Sequence, residues 1–542
     1  MKRLLGLGSV LCLCLICGGC GDTFRPIIIP NPPTFPNPAA AHTVVSINDN
    51  APPPGQPESA VGTAMVIDVT GDIDTSIANV GLAPVFAVQQ TANVVLVANH
   101  SIAGALADSV TKLNFSSTSI FSTNTISLPA NSAPNFLATT ESSQAYVLLS
   151  GLPAVGVLNT LSNSLVATVA VGNDPDAMAE TANGQKLYVA NLGDNTVSGF
   201  NTATGALSSR GDVIGSFNAP LWISARSDSQ RLYVLNGNGV ISTVDTTSTA
   251  GPDIVIDASI TVPAGAAFMF YDVNKNRLYI PGGTTLTILD VSQSVPALLA
   301  TIPIPAFSVL NLPAVPATTT AVAALPDGTR AYVGSYAVLP SQFNVTAVAG
   351  DGTTADYAYT LTAGHDLNPG VTVTVTGTTT LTSIGFDGTY IVSDIVSGTT
   401  SCPGRCFETA NTATTPGDAP VNTPTGSGTG SNVFPQVTVV DVSSNTIKTT
   451  VAIPGFPDAT DPSTPLYYVP VCATTRFRFM MAAAGDSTRA YLSSCDGGNV
   501  NLVDTSIDDY ILNLAAPIGI RPPISPNPQN PPQNPVFLIA GP

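Results

Sequence analysis

Four cysteines in the second half of the sequence are its most chemically specific residues: Cys402, Cys406, Cys472 and Cys495. An even number of cysteines in an exported chain favours two disulfides. The Pro-Gly turn between Cys402 and Cys406 brings these two thiols together, although a C-x3-C pair in a reducing compartment would instead bind a metal. Cys472 and Cys495 fall at the same end of a predicted hairpin. We therefore predict the disulfides Cys402–Cys406 and Cys472–Cys495.

The three histidines do not form a recognisable catalytic or metal-binding pattern. His42, His100 and His365 lie far apart in the sequence, and no two have metal-ligand spacing. His100 follows a predicted strand, where it is either a solvated turn residue or part of a ligand site. No Gly-rich phosphate loop and no G-x-S-x-G elbow are found, and the scattered Asp residues do not form a regular calcium loop. We therefore predict no catalytic residue, no metal and no cofactor, which favours a non-enzymatic protein without excluding an enzyme.

Composition indicates an all-β chain with an acidic surface. The 542 residues carry a formal net charge of −18, charged residues make up only 10%, and the mean hydropathy is +0.30. Only five Lys and four Glu are present, so the residues that usually cover exposed helix faces are scarce, whereas Thr, Val, Ser and Asn are plentiful. The negative charge repels nucleic acid and anionic lipid headgroups. We predict no nucleic-acid partner.

The N-terminal residues are typical of an export signal. Lys2 and Arg3 precede the apolar run Leu4–Ile16, which is too short to span a bilayer. The run ends in Cys17-Gly18-Gly19-Cys20, which resembles the lipobox of bacterial lipoproteins, with Cys17 where that family usually has Leu. The resemblance implies a signal peptide at residues 1–19 and a lipid on Cys20. An ordinary cleaved signal is the alternative.

The resemblance also implies a location. Gly21 follows the anchor in place of the Asp that favours inner-membrane retention. This predicts the cell envelope, in the outer membrane if the host has one. Proline-rich sequence at residues 20–59 predicts an extended tether from the membrane, and a similar stretch at residues 517–542 predicts a mostly unstructured tail.

Between these stretches, a turn followed by a basic or polar residue and an aromatic strand recurs seven times. Its anchor residues are Leu96, Tyr146, Tyr188, Tyr233, Tyr279, Tyr332 and Tyr491. Most spacings between anchors are close to 45 residues, and four short strands can be assigned to each unit. This period is typical of a β-propeller blade. We predict an all-β, seven-bladed β-propeller.

The best copy of the repeat carries a family resemblance. Tyr188-Val189-Ala190-Asn191, followed by Asn195-Thr196-Val197-Ser198, resembles the motif of the YVTN-type β-propeller repeat proteins. The resemblance covers about residues 80–335 and 434–515. It implies the propeller fold and is much less informative about function, because relatives include cell-surface proteins and the repeat is also similar to that of lactonase-like enzymes.

Other repeated residues are interpreted as structural. Asp245, Asp290, Asp441 and Asp504 end third strands, where their side chains can hold a turn. The Tyr anchors alternate with Val and Leu, which indicates packing between blades. The segment Ala64–Ile67 is expected to add an outer strand to the last blade and so close the ring.

The sixth repeat is split by residues 336–432. This segment contains alternating runs that suggest a small antiparallel β module, followed by a Thr/Pro/Gly/Ser-rich stretch, Glu408–Ser431, expected to be a flexible return. The propeller would then comprise two parts of the chain. Residues 60–335 would form blades one to five and the first part of blade six, and residues 433–516 would complete blade six and form blade seven.

Two functions remain open from the sequence. The first is a lipid-anchored binding or scaffold protein for an envelope protein or a polysaccharide. The second is a lactonase-like or other hydrolytic enzyme with acidic residues converging on the central channel. For the first, turns on the rim that carries the links between blades are expected to make contact, with the exposed candidates Asn191, Asp194, Asn236 and Asp496.

Overall fold

The structure is a computed structural model. It describes residues 43–541 apart from 51–60, 101–107, 117, 141–142, 309–312, 365, 368–370, 379–384, 398–401, 403, 412–425, 454–477, 496–497 and 511–533. Within these residues all regular secondary structure is β, and there is no helix. The predicted signal peptide, the lipid anchor, His42, His365, Cys472 and Asp496 lie outside the described residues.

The first 23 strands comprise three N-terminal strands and the four strands of each of the first five repeats. The three N-terminal strands are β1 (Thr43–Asp49), β2 (Thr63–Asp68) and β3 (Ile73–Asn79). Blades one and two contain β4 (Pro84–Thr91), β5 (Val94–Asn99), β6 (Ser109–Ser116), β7 (Ser119–Ser127), β8 (Pro134–Ala138), β9 (Gln144–Leu149), β10 (Ala154–Asn159) and β11 (Ser164–Ala170). Blades three to five contain β12 (Pro175–Glu180), β13 (Lys186–Asn191), β14 (Thr196–Ala203), β15 (Ala206–Asp212), β16 (Pro220–Ala225), β17 (Arg231–Asn236), β18 (Val240–Asp245), β19 (Ile254–Thr261), β20 (Phe270–Asp272), β21 (Arg277–Gly282), β22 (Thr285–Asp290) and β23 (Ala297–Pro303).

The remaining strands belong to repeats six and seven and to the C-terminal end. Repeat six contains β24 (Thr318–Ala324), β25 (Arg330–Gly350), β26 (Thr354–Gly364), β27 (Thr372–Thr376), β28 (Gly388–Ser397), β29 (Arg405–Ala410), β30 (Gly426–Asp441) and β31 (Thr446–Ala452). Repeat seven contains β32 (Met481–Ala483), β33 (Arg489–Ser494), β34 (Asn499–Asp504) and β35 (Asp509–Tyr510), and the last strand is β36 (Asn534–Ala540).

The predicted all-β propeller is confirmed, and each of the seven repeats forms one blade. In every blade the anchor residue lies on the second strand and is almost completely buried. The strand alternates so that both faces pack against neighbouring blades, which explains runs such as Leu187-Tyr188-Val189 that are apolar on both faces. The repeat therefore predicted the blades because the turn and the anchor residue occupy the same place in each of these seven sheets.

An eighth four-stranded sheet, which we call the closure sheet, completes the ring. Its order is β3-β2-β1-β36, so strands from the two ends of the described chain pair with each other. Its innermost strand β36 contacts blade one on one side and blade seven on the other. The expectation that Ala64–Ile67 joins the last blade is wrong, because β2 pairs with β1 and β3.

The closure sheet also corrects the predicted tether and tail. Residues 43–49 and 534–540 were assigned to these stretches because proline is frequent around them. Both segments are short apolar strands, and the side chains of Val44, Ile47, Phe537 and Leu538 are fully buried. Hydrophobic burial between two sheets decides their structure in spite of the flanking prolines.

Strands β25 and β30 continue beyond blade six as a long antiparallel ribbon. Strands β26, β29, β28 and β27 pair in that order from β25 round to β30, so these six strands form a closed barrel. We call residues 341–431 the barrel. Its core contains Phe343, Tyr357 and Phe407. The ring centroid of Phe407 lies 5.5 Å from that of Phe343 and 4.8 Å from that of Tyr357.

The predicted flexible return at Glu408–Ser431 is wrong where the structure describes it. Residues 408–410 end β29 and residues 426–431 begin β30. The alternating glycines Gly428 and Gly430 face the barrel interior, where an added Cβ would lie 2.3 Å from the Phe343 ring and 2.7 Å from Leu367. These glycines therefore let large side chains pack directly on the backbone, and they do not mark a loop.

Candidate functional site

The link face is the rim of the ring that carries the turns between second and third strands and the links between blades. The candidates Asn191 and Asn236 end β13 and β17 on this face, but both are buried, which contradicts their predicted exposure. Asn191 Nδ2 donates to Thr196 Oγ1 (2.9 Å) and Ser198 Oγ (3.0 Å). Asn236 Nδ2 donates to the Val240 carbonyl (2.8 Å) and Ser242 Oγ (3.0 Å). Their amides fasten strand two to strand three, so these residues are structural.

At the same corner of two blades, the amide oxygen of the strand-end Asn also holds the link between blades. Asn236 Oδ1 accepts a hydrogen bond from the Asn218 backbone N–H at 2.9 Å, and Asn99 of blade one accepts one from Gly81 at 3.0 Å. Because a buried amide must satisfy its donors and its acceptor, a repeated Asn at a strand end is well suited to this corner. The sequence motif placed these side chains correctly on the link face but could not reveal their burial.

Asp194 is the described candidate that is exposed on the link face. Its carboxylate accepts hydrogen bonds from the backbone N–H (2.6 Å) and the side chain (2.8 Å) of Asn173. These two hydrogen bonds lower the pKa of Asp194, so the group is ionised at neutral pH. Asp194 is available at the surface, although both hydrogen bonds serve the link between blades two and three.

Aromatic side chains meet at the centre of the ring. Phe86, Phe136 and Phe537 stand on innermost strands, as does Trp222, and Phe268 lies two residues before β20. Consecutive ring centroids are separated by 4.7 Å (Phe537–Phe86), 4.1 Å (Phe86–Phe136), 5.3 Å (Phe136–Trp222) and 4.9 Å (Trp222–Phe268). We call these five residues the aromatic plug. Blades two and four are not neighbours, so Phe136 and Trp222 can meet only across the central channel.

The aromatic plug has a sequence signal that the repeat analysis missed. Four of its members stand two residues after a proline that begins or nearly begins an innermost strand, as in Pro84-Val85-Phe86 and Pro220-Leu221-Trp222. Blade three has Ala177 at this position, which leaves room for the rings of blades two and four. Proline suits this place because the first residue of an innermost strand has no ladder partner to receive its N–H.

The predicted turn-forming aspartates do hold turns, and these turns lie on the face opposite the link face. Asp245, Asp290, Asp441 and Asp504 each accept a hydrogen bond from the backbone N–H two residues later, at 2.8–3.0 Å. The side chains of Ser443 and Ser444 and their N–H groups hold the pKa of Asp441 at about 2. These carboxylates are thus committed to turns.

Buried ion clusters join neighbouring blades on the same side. The hydroxyl of Tyr188 donates to Asp253 Oδ2 at 2.6 Å, and Arg210 and Lys186 approach the same carboxylate at 3.3 and 3.1 Å. The Tyr332–Asp508 (2.6 Å) and Tyr491–Asp72 (2.9 Å) hydrogen bonds repeat this arrangement between later blades. The last of these joins blade seven to the closure sheet. In each case the basic residue two positions before the Tyr also contacts the Asp.

The barrel carries a row of carboxylates on three adjacent strands. Asp356 on β26 and Asp394 on β28 are both directly opposite Glu408 on β29. Partial burial and the neighbouring negative charges raise the pKa of Glu408, and burial together with Asp356 raises that of Asp394. Among the residues that the structure describes, however, no group of three His, Cys, Asp or Glu side chains has metal-binding geometry.

The Cys402–Cys406 disulfide is confirmed. Its Cα atoms are 5.9 Å apart, and both side chains are buried against Ala347 and Ala358 at one end of the barrel. Cys495 is also buried and disulfide-bonded. Since Cys472 lies outside the described residues, the Cys472–Cys495 pairing stays a prediction.

His100 directly follows β5 and is partly exposed on the link face. Its backbone N–H donates to the Ala83 carbonyl at 2.9 Å, which fits the interpretation as a turn residue. In the described part of the chain, no helix is long and apolar enough to cross a membrane.

These features define the chain as a β-propeller with an aromatic centre and a barrel on blade six. No protein-family model matches the sequence, and no curated protein matches it. Among solved structures, apo AztD from Citrobacter koseri is similar with a TM-score of 0.48 and 10% identity, over 92% of this chain and 98% of that one.

Two further similar structures are described as lactonases. A putative 6-phosphogluconolactonase from Bacteroides fragilis has a TM-score of 0.42 and 12% identity, over 56% of this chain and 92% of that one. The periplasmic gluconolactonase of Pseudomonas aeruginosa has a TM-score of 0.39 and 15% identity, over 48% and 83%. At these sequence identities and TM-scores, the similarities support no conclusion about the chemistry of this chain.

Proposed function

We propose that this protein is a lipid-anchored binding or scaffold module of the cell envelope, which holds a protein or polysaccharide partner through its barrel and link face. The observation that carries the proposal is the attachment of the barrel. Strands β25 and β30 run without interruption from the core of blade six into the barrel wall. A rigid ribbon of this kind holds a surface at a fixed place above the ring, as a binding module requires.

The base of the ribbon is also packed against the ring. Phe307, in the link between blades five and six, stacks on Phe434 with ring centroids 5.5 Å apart and forms an isolated bridge with Val315. Ala337 and Leu339 complete this buried cluster. The barrel is therefore fixed to the propeller by apolar contacts as well as by covalent continuity.

The path of the chain supports presentation of this face away from a membrane. Thr43 lies opposite Asp68 and next to Ala540, at the end of the closure sheet farthest from the link face. A chain coming from a lipid on Cys20 would thus reach the ring on the face opposite the barrel. The link face and the barrel would point outward from the lipid surface.

The lactonase-like alternative requires acidic residues that converge on the central channel. In the described residues, the innermost strands instead bring five aromatic rings together there. These aromatic contacts at the centre favour the binding function over a hydrolytic one.

The test is to replace residues 341–430 by Asn-Gly, which joins Pro340 to Ser431. These two residues are cross-strand partners, so a two-residue turn fits between them, and the packed base of the ribbon is kept. We expect the ring to fold and its retention by a detergent-solubilised envelope fraction to fall at least tenfold. Full retention by a folded variant would contradict a role for the barrel.

The anchor is tested separately by fractionation of cells that express the wild type or Cys20→Ala. We expect the wild type in the membrane fraction and the variant in the soluble fraction. Equal solubility after signal cleavage would refute lipidation while leaving the binding test unaffected.

A further inference from the structure

One half of the barrel wall carries no ionisable side chain. The neighbouring strands β25, β30 and β27 have none at residues 337–350, 426–434 and 372–376. The charged residues that the structure describes in the barrel all lie on the other three strands or on their connections, and they are Asp351, Asp356, Asp366, Asp387, Asp394, Arg405 and Glu408. The described charges are therefore segregated to the other half of the barrel.

The uncharged half, together with the edges of the flanking strands β26 and β28, presents hydroxyl and amide groups in a regular array. Cross-strand partners form one row from Thr360, Asn344, Ser427 and Thr376, a second from Gln342, Thr429, Thr374 and Thr389, and a third with Ser431 and Thr372. All of these side chains except the half-buried Thr372 are exposed. We call these ten residues the hydroxyl grid.

The interior of the barrel keeps the grid regular. Val373 and Val375 alternate with the exposed threonines of β27, and Gly428 and Gly430 alternate with the exposed residues of β30. Neighbouring strands lie about 4.8 Å apart, and exposed residues on one strand repeat about every 6.8 Å. The grid thus offers many hydrogen-bonding groups at fixed spacings, each hydroxyl acting as both donor and acceptor.

We propose that the hydroxyl grid binds an uncharged polysaccharide. This deepens the proposed function, since it names the partner of the barrel. A neutral glycan displays hydroxyl groups at repeating intervals and can exchange hydrogen bonds with several rows of the grid at once. A basic partner would find a carboxylate only at the border of the grid, where Asp387 accepts hydrogen bonds from the Gly377 and Thr378 N–H groups. An acidic polymer would be repelled by a chain of net charge −18.

The experiment is affinity electrophoresis of the full chain in native gels that contain one soluble polysaccharide each. The neutral set is dextran, starch, hydroxyethyl cellulose, a mixed-linkage β-glucan and galactomannan, and alginate is the acidic comparison. We expect retardation by at least one neutral polysaccharide, none by alginate, and a dissociation constant that 0.5 M NaCl leaves unchanged because no ion pairs are involved.

The variant Thr374→Val/Thr429→Val removes two central hydroxyls that face each other across β27 and β30. Valine keeps the shape and favours strand, so the barrel should fold, which hydrogen exchange of β25 and β30 checks. We expect at least tenfold weaker binding. The matched control Thr168→Val lies at an exposed position of β11 and should bind as the wild type does.

Two outcomes would overturn the proposal: no retardation by any of the neutral polysaccharides, or equal retardation of the wild type and the double variant. If the barrel deletion still abolishes retention by the envelope fraction in those cases, the proposed function survives with a protein as the partner. If neither experiment shows binding, both fail.

Discussion

Buried charged side chains at the joints between blades strongly affect the stability of this propeller. The side chain of Asp253 is 1% exposed and lies against Arg210, whose side chain is 2% exposed. Burial lowers the pKa of nearby Lys186, which is partly offset by its hydrogen bond and attraction to Asp253. The cluster is stable only as a whole, because each buried charge needs its partner.

We predict that Asp253→Asn lowers the free energy of unfolding by about 3–5 kcal/mol, since it leaves two cationic side chains without a buried counter-charge. Urea unfolding measures the change. The matched control is Asp245→Asn. The Asp245 carboxylate lies 3.2 Å from Arg231, and the Asp245 side chain is 30% exposed. This change should cost less than about 1 kcal/mol, because the pair is partly open to solvent and Asn can still accept the turn hydrogen bond from Thr247. Similar costs for both variants would refute the role of the buried cluster.

At the scale of strands, the barrel depends on what faces inward from β30. We predict that Gly428→Ala destabilises the barrel by about 1–3 kcal/mol, because the new Cβ would meet the Phe343 ring and the core cannot expand freely. Hydrogen exchange of β25 and β30 measures this. The control Gly404→Ala adds a Cβ with no atom within 4 Å and should have almost no effect. Unchanged exchange in Gly428→Ala would show that Phe343 does not pack on the backbone there.

The carboxylate row on β26, β29 and β28 predicts a pH dependence at the same scale. The folded barrel raises the pKa of Glu408 and Asp394, so it binds protons more tightly than the unfolded chain does. The resulting stabilisation is fully present below the unfolded pKa of about 4 and is lost as pH rises through the folded values. The barrel should therefore be less stable at pH 8 than at pH 4 as far as this row is concerned.

We predict that Glu408→Gln removes this loss. It should stabilise the barrel by about 0.5 kcal/mol at pH 8, because like charges on directly opposite residues repel, and should have little effect at pH 4, where Glu408 is protonated. Calorimetry of both proteins at the two pH values measures the difference. A difference that does not change with pH would contradict a titrating row.

For the whole molecule, ring closure depends on the last strand. Strand β36 supplies Phe537 to the aromatic plug and pairs with β1 along its length. We predict that deletion of residues 534–542 opens the ring and lowers the melting temperature by more than about 10 °C, since several fully buried side chains lose about 2 kcal/mol each. Differential scanning calorimetry and size-exclusion chromatography measure the change.

The control for this truncation is the deletion of Pro542 alone, which leaves β36 and the Gly541 N–H···Thr43 hydrogen bond in place. It should melt and elute as the full chain does. If the longer deletion also leaves melting and elution unchanged, β36 is not needed to close the ring.

Local patterns in the sequence determined the blades. A tyrosine two residues after a basic residue, an Asp at the end of a third strand, and a period of about 45 residues each follow from interactions within one sheet or across one joint. The turn aspartates, the buried tyrosines and the Cys402–Cys406 bridge could be predicted for this reason. Their partners lie within a few residues or recur in every repeat, so one copy supports the interpretation of the next.

Only the tertiary structure decided features that join distant parts of the chain. One of the two partners of β1 is β36, nearly 500 residues away, and no local pattern distinguishes these strands from proline-rich stretches. Asn191 and Asn236 look like surface turn residues until the link that precedes their own blade covers them. The glycines of β30 resemble a flexible loop until Phe343 packs on Gly428 from a strand more than 80 residues earlier and Leu367 packs on Gly430. Burial is a property of the assembled ring and barrel, and burial decided each of these cases.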